Sequence, residues 1–133
     1  LWEATFEAVP ESPRAAYNLG FVATQQGDHE RAIRLYELAL ERDPTFLPAY
    51  RNLASTYGKL KRPDEARAVY ERAQRMDLGH AARDWHMTPD QLASAFRVEI
   101  ALVDARKGET ETALAELERI VGEDPDTIRA QDA

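Results

Sequence analysis

The sequence resembles itself when Ala15 is aligned with Ala49, and this internal repeat constrains the fold more than any other feature. The residues Ala15, Asn18, Leu19, Ala32, Tyr36, Glu37, Ala39 and Asp43 return as Ala49, Asn52, Leu53, Ala66, Tyr70, Glu71, Ala73 and Asp77. A third copy follows an insertion and is clearest from Gly108 onwards. A repeat of this length buries its apolar face only by stacking on its neighbours. The sequence therefore predicts an array of similar units.

Each copy carries the sequence signals of two consecutive helices. In the first copy, Ser12 and Pro13 are typical of an N-cap followed by the first helical position, and Gly27 ends that helix. Apolar residues at helical spacing then resume and indicate a second helix. Further along, Thr88-Pro89-Asp90-Gln91 has the form of a capping box and predicts a long helix that runs to about Lys107. These signals predict an all-α fold.

The order of small and large residues within each copy resembles the tetratricopeptide repeat, whose pattern is W-x₂-L-G-x₂-Y…A-x₃-F…P. The first copy reads Ala16-x₂-Leu19-Gly20-x₂-Ala23, Ala32-x₃-Tyr36, Ala39 and Pro44, and the second reads Tyr50-x₂-Leu53-Ala54-x₂-Tyr57, Ala66-x₃-Tyr70, Ala73 and Leu78. The third copy departs from the pattern at Arg97 and Asp104, where the family prefers aromatic residues. The resemblance implies a right-handed superhelix, or α-solenoid, of stacked antiparallel helix pairs.

The repeats divide the chain within one domain, which covers residues 1–133. Shifting the first copy back by one repeat length makes 1–10 the end of a preceding repeat. The other segments are repeat 1 at 13–46, repeat 2 at 47–80, an insertion and helix extension at 81–93, repeat 3 at 94–127 and a tail at 128–133. Because the chain opens at Leu1 rather than at a start Met, we expect it to be a segment of a longer protein.

The resemblance also implies a concave face that is lined by the first helix of each repeat and often holds a peptide. Carried over by repeat position, the lining residues are Arg14, Tyr17, Asn18, Phe21, Gln25, Arg51, Asn52, Ser55, Lys59, Val98, Glu99, Leu102 and Arg106. Four of them are cationic and one is anionic, so this groove is basic on an acidic chain.

The chemistry of these residues favours one kind of ligand. Arginine side chains suit carboxylates, and Asn side chains can hold a peptide backbone through paired amide bonds. Tyr17 and Phe21 lie one turn apart and are candidates for an apolar anchor pocket. We therefore expect an extended peptide that is acidic or mixed and carries an apolar anchor. The alternative is that these are ordinary solvated helix residues.

Only Asn52 matches the clamp that one subfamily uses for the C-terminal carboxylate of chaperones, so we reject that ligand.

The insertion is the most individual segment of the chain. Its Trp85 and Met87 are candidates for contacts with a partner, but we favour the alternative that they cover the chain's own core. The helix that follows is apolar around much of its circumference. It requires a cover, which the insertion, a further repeat or a second copy of the chain would supply.

Composition and the absence of motifs exclude several functions. The 133 residues carry 17 Lys and Arg against 24 Asp and Glu, and this charge of −7 argues against broad nucleic-acid or anionic-membrane binding. The chain lacks Cys, which excludes disulfide scaffolds and thiol catalysis. No apolar run approaches the roughly 20 residues of a membrane span. No phosphate-binding Gly loop or catalytic motif occurs, and the spacing of His80, Asp84 and His86 does not favour a metal site.

We therefore expect a non-catalytic protein–protein interaction scaffold without cofactor or metal. Two alternatives stay open. One is a self-assembly module that forms homo-oligomers, and the other is an accessory segment of a larger enzyme or regulator. A cytoplasmic location is favoured, and a periplasmic one stays open because any upstream signal lies outside the sequence. The 14 Arg against 3 Lys suggest a GC-rich bacterial genome.

Overall fold

The computed structural model describes residues 9–123, and every regular element within them is an α-helix. In chain order these helices are α1 (Pro13–Gln25), α2 (His29–Arg42), α3 (Leu47–Lys59), α4 (Pro63–Gln74), α5 (Leu78–Asp84), α6 (Pro89–Arg106) and α7 (Thr110–Glu123). Helices α1 and α2, α3 and α4, and α6 and α7 pack as pairs, and the pairs stack through α2 on α3 and α4 on α6. The predicted all-α helical repeat is confirmed.

Some segments of the predicted division lie outside the described residues. These are all but the last two positions of the half repeat at 1–10, the end of repeat 3 after Glu123, and the tail at 128–133. Within residues 9–123, no helix combines the length and the apolar character that crossing a membrane requires.

Helices α1 and α6 begin where the sequence predicts, and for the predicted reasons. The Ser12 hydroxyl accepts a hydrogen bond from the backbone amide of Ala15 at 3.3 Å, and Pro13 occupies the first turn. At the start of α6, the Gln91 amide donates to the Thr88 hydroxyl at 3.1 Å, while the Gln91 side chain accepts from the Thr88 amide at 2.9 Å. This reciprocal capping box satisfies two amides that the helix itself leaves without partners.

Among the described residues, four helices end in the same backbone motif, in which the residue after the C-cap adopts the left-handed conformation. These residues are Gly27 (φ 77°), Lys61 (φ 57°), His86 (φ 53°) and Gly108 (φ 99°). After α3, for example, the Arg62 amide donates to the Tyr57 carbonyl at 2.9 Å and the Lys61 amide to the Gly58 carbonyl at 3.0 Å. Glycine adopts this conformation freely, whereas a residue with a Cβ adopts it at a cost of roughly 1 kcal/mol.

The small positions of the repeat allow large side chains from the second helix to fill the core. A Cβ placed on Gly20 would lie 2.7 Å from Cε1 of Tyr36, which no unstrained structure allows. Tyr36 is consequently almost fully buried, with 1% of its surface exposed. In the second helix pair the same positions hold Ala54 and Tyr70.

The insertion folds onto the chain itself. Its helix α5 begins at Leu78, before the predicted start of the insertion at residue 81, and packs against α6. Together with α4 and α7 it covers α6, which buries residues on several sides. Met87 packs against the core, as favoured above, but Trp85 is 45% exposed and does not.

The two departures from the family pattern on α6 form ion pairs in place of aromatic packing. Arg97 pairs with Glu116 at 2.8 Å and with Glu123 at 2.6 Å, both on α7. The carboxylate of Asp104 is largely buried and lies 3.2 Å from Nε of Arg67 on α4. Polar contacts therefore join α6 to α4 and α7 at positions where other repeats use ring stacking.

Candidate functional site

Helices α1 and α3 are in direct contact at the junction of the first and second helix pairs. The ring of Tyr17 packs edge-on against Phe46, with centroids 5.5 Å apart, and lies 5.9 Å from the ring of Tyr36. Nδ2 of Asn52 donates to the Tyr17 hydroxyl at 3.1 Å. The hydroxyls of Thr24 and Tyr36 form a further hydrogen bond at 3.0 Å. We call this arrangement the first junction.

The first junction uses groups that sequence analysis assigns to a ligand. The Asn52 amide nitrogen donates within the chain to the hydroxyls of Tyr17 at 3.1 Å and Tyr36 at 3.5 Å, which leaves its carbonyl oxygen for a peptide. Tyr17 is half-buried against the core, whereas Phe21 is exposed. The expected paired amide bonds and the expected Tyr17–Phe21 anchor therefore both compete with internal contacts.

A gap separates α3 from α6 at what we call the second junction, between the second and third helix pairs. A cavity of about 750 Å³ lies there, which is within the range of small-ligand and peptide side-chain pockets. Its apolar walls are formed by Ala54, Pro63, Ala66, Tyr70 and Val103. Its remaining lining consists of Ser55, Gly58, Lys59, Lys61, Glu99 and Arg106.

The structure brings four of the residues assigned to the groove together at this cavity. They come from two repeats: Ser55 and Lys59 on α3, and Glu99 and Arg106 on α6. The others are distributed differently. Arg14, Asn18, Phe21, Gln25 and Arg51 are exposed outside the cavity lining, and Leu102 is half-buried. Val98 is 4% exposed, so it offers no side chain to a groove, contrary to the expectation.

Seven residues of the cavity lining are absent from the groove assigned by sequence, and two of them, Lys61 and Tyr70, carry polar side-chain groups. The repeat pattern predicts only a core role for Tyr70, because its position in the repeat is the usual place of a packed aromatic. Lys61 lies in a turn, outside the helices from which groove residues are carried over. A signal for Lys61 does exist in the sequence, since it stands one repeat length after Gly27 and replaces the glycine of that turn.

The cationic rim of the cavity has no acidic partner of its own. Within residues 9–123, no carboxylate lies within salt-bridge distance of Lys59, Lys61 or Arg106. Lys59 and Arg106 occupy the last turns of α3 and α6, where a cation also interacts favourably with the helix dipole.

Burial, helped by the nearby Glu99 carboxylate and opposed by Arg51 and Arg106, raises the pKa of Tyr70 to about 12. The Tyr70 hydroxyl therefore stays protonated at neutral pH and can donate a hydrogen bond. The wall of the cavity thus carries a neutral donor beside one carboxylate, under a rim with three positive charges.

In a second, smaller cavity, the charged lining residues are paired with one another or with their neighbours. It encloses about 300 Å³ between α4, α6 and α7, and its charged lining includes Arg67, Arg97, Asp104 and Glu116. All four belong to ion pairs within the chain. No group of three or more His, Asp or Glu in the described part of the chain is arranged to hold a metal ion.

The comparisons with known proteins agree with the repeat pattern. One tetratricopeptide repeat model matches residues 11–78 and another matches residues 51–127. Among solved structures, the chain is similar to YrrB, described as a TPR protein with an unusual peptide-binding site, with 22% identity over 86% of this chain and 70% of that one and a TM-score of 0.45. It is also similar to the MamA protein, with 22% identity over 90% of this chain and 77% of that one and a TM-score of 0.47. No curated protein sequence matches the chain.

Each of the two repeat models covers more than half of the chain, and together they run from the first helix pair into the segment after the last one. The helices, their pairing and the Gly20–Tyr36 contact are those that the repeat pattern requires. The chain therefore belongs to the tetratricopeptide repeat family.

Proposed function

We propose that this protein is a non-catalytic scaffold that binds an extended segment of a partner protein on its concave face, with the cavity of the second junction as the principal anchor. Proteins of this family serve in general as protein–protein interaction scaffolds. The observation that carries the proposal is the cavity of about 750 Å³, whose three rim cations form no ion pair within the described chain. We assign no catalytic residue, cofactor or metal.

The chemistry of the cavity supports a peptide that is acidic or mixed and carries an apolar anchor. The alanine, proline and valine walls suit an apolar side chain. Carboxylates suit the rim, because hydrogen bonds between ionised partners are about twice as strong as neutral ones. The first junction contributes exposed side chains along the same face, among them Phe21 and Arg14.

The test is a selection of binding peptides from a phage-displayed random library. The variant Lys59→Glu with Arg106→Glu reverses two rim charges, and Arg34→Glu with Arg75→Glu makes the same change in net charge at exposed positions outside the cavity. We expect the wild type and the second variant to enrich related peptides, and the first variant to lose them. Failure of the wild type to enrich any peptide would disprove the proposal. Equal enrichment by all three proteins would show that the cavity is not the anchor for the peptide.

Self-association is a second candidate, because apolar residues are exposed at both ends of the array. Leu114 and Val121 are exposed on α7, and Leu19 and Val22 are exposed on α1. A head-to-tail contact between these faces would be heterologous and would extend into longer assemblies. Sedimentation velocity over a concentration series tests it, with Leu114→Glu and Val121→Glu expected to abolish any association. A single monomeric species at every concentration would exclude it.

An accessory role in a larger enzyme or regulator is a third candidate, which the full-length reading frame tests.

A further inference from the structure

We infer that Lys61 determines the specificity of the cavity and selects an acidic side chain in the bound peptide. The inference rests on the proposed function and adds the residue that reads the ligand's charge. It is based on the backbone conformation of Lys61, on the surroundings of its side chain and on the equivalent residues of the other repeats.

The backbone at Lys61 favours glycine. Its φ of 57° lies in the left-handed region, and the equivalent positions of the first and third helix pairs are Gly27 and Gly108, with φ of 77° and 99°. All three turns share the same pair of backbone hydrogen bonds, and the Arg62 amide donates to the Tyr57 carbonyl as the Asp28 amide donates to the Ala23 carbonyl. Glycine would therefore serve the turn better than lysine, so folding does not explain the lysine.

The side chain of Lys61 makes no ion pair within the described chain, unlike Arg62 and Lys107. The next residue, Arg62, forms a bidentate pair with Glu65, at 2.6 and 2.5 Å. Lys107, which follows the end of α6 and also lies close to α4, pairs with Asp64 at 2.6 Å. Lys61 instead lines the cavity. Strained backbone positions cluster at binding sites, and at Lys61 the strain coincides with a side chain that lines a cavity.

The charge balance of the cavity identifies the group that Lys61 would bind. Lys59, Lys61 and Arg106 supply three positive charges against the single carboxylate of Glu99. The adjoining walls of the cavity are apolar. The ligand that carries the anion should therefore also carry apolar groups. An Asp or Glu side chain in a peptide with apolar neighbours meets both conditions.

His86 provides a matched control for the backbone. It ends α5 in the same motif, with φ of 53° and with the Met87 amide donating to the Ala82 carbonyl at 3.0 Å. It does not line the cavity. Lys61→Gly and His86→Gly should therefore each raise the thermal midpoint by about 4 °C, because both remove the same strain.

Binding should separate the two variants. An acidic peptide enriched by the wild type and its twin with Gln for Glu are labelled with fluorescein and titrated by anisotropy. Lys61→Gly should weaken the acidic peptide about tenfold and abolish its preference over the twin, whereas His86→Gly should leave both affinities unchanged. Lys61→Gln keeps the Cβ and removes the charge, so it should lose the preference without a gain in thermal midpoint. Lys61→Arg should retain it.

The outcomes distinguish the inference from the proposed function. If the wild type binds peptides but Lys61→Gly and Lys61→Gln keep the preference for the acidic one, the inference is wrong and the scaffold function stands. Tighter binding of a labelled single-stranded oligonucleotide than of the acidic peptide would also overturn it. If the wild type enriches no peptide at all, both the proposed function and the inference fail.

Discussion

The two junctions of the array use the same repeat positions and reach opposite results. At the first, Phe21 and Thr24 occupy the positions at which the second, one repeat length later, has Ser55 and Gly58. Thr24 bonds to the hydroxyl of the buried Tyr36, whereas the site beside Gly58 is open, with nothing within 4 Å of a Cβ placed there.

The two junctions also differ in charge, because equivalent repeat positions hold different residues. Tyr17 and Asn52 of the first junction correspond to Arg51 and Glu99 of the second, so charged residues replace a hydrogen-bonded, ring-packed cluster. Charged side chains are not buried readily without partners, and the space between α3 and α6 stays unfilled. Within one family pattern, the difference between a structural contact and a cavity is thus set by a few side chains on the first helix of each repeat.

The largest expected effect is a loss of stability, which should be greater at Tyr36 than at Tyr70. Tyr36→Ala should destabilise the protein by about 3–5 kcal/mol, because it empties a fully packed site and removes the partner of Thr24. Tyr70→Ala should cost clearly less, since one side of Tyr70 already faces the cavity. Urea denaturation with a common slope measures both. Equal losses would show that the second junction is packed as tightly as the first.

Two glycine substitutions should change the stability of the protein in opposite directions. Gly20→Ala forces a Cβ to 2.7 Å from the Tyr36 ring and should cost about 1–3 kcal/mol. Gly58→Ala adds a methyl group to open space within α3 and should stabilise the protein by about 0.5–1 kcal/mol. Thermal denaturation monitored by circular dichroism gives the sign of each. A stabilising Gly20→Ala would contradict the close approach of α1 and α2.

Filling the cavity should convert the second junction into a copy of the first. The double variant Ser55→Phe with Gly58→Thr restores the residues of the first helix pair, and we expect a folded protein with at least about tenfold weaker peptide binding, equivalent to about 1.4 kcal/mol. Anisotropy titration with a peptide selected by the wild type measures the loss. The reverse variant, Phe21→Ser with Thr24→Gly, should weaken that affinity less than the filled variant does, because it leaves the cavity open. Undiminished binding by the filled variant would place the ligand elsewhere.

The smallest effect concerns alkaline pH. Because burial raises the pKa of Tyr70 from 10.0 to about 12, its proton is held more tightly in the folded state than in the unfolded state. Its contribution to stability is therefore fully present below pH 10 and is lost as the pH rises from 10 to 12. Tyr70→Phe should flatten the fall in stability over this range, although Tyr50 and Tyr57, whose pKa values burial also raises, still contribute to it. An unchanged pH profile would show that Tyr70 is not shielded from solvent.

The features that the sequence predicts correctly depend on local chemistry. Ser12 and Thr88 cap helices because their side chains reach amides three residues away, and Gly20 is small because the repeat brings an aromatic ring against it. The pairing of Arg97 with α7 and the internal use of Asn52 were not predicted. They depend on which side chain of another helix lies opposite, and repeat position alone does not specify that partner.

The sequence by itself determined the helix pairs, their order and their membership of the tetratricopeptide repeat family, because capping, periodicity and small-to-large contacts act within one repeat and its neighbour. Only the tertiary structure decided that the first junction closes and the second opens, that α5 covers α6 and that Lys61 faces a cavity. Those outcomes depend on how side-chain volumes and charges from three helices meet in space, and no single repeat contains that information.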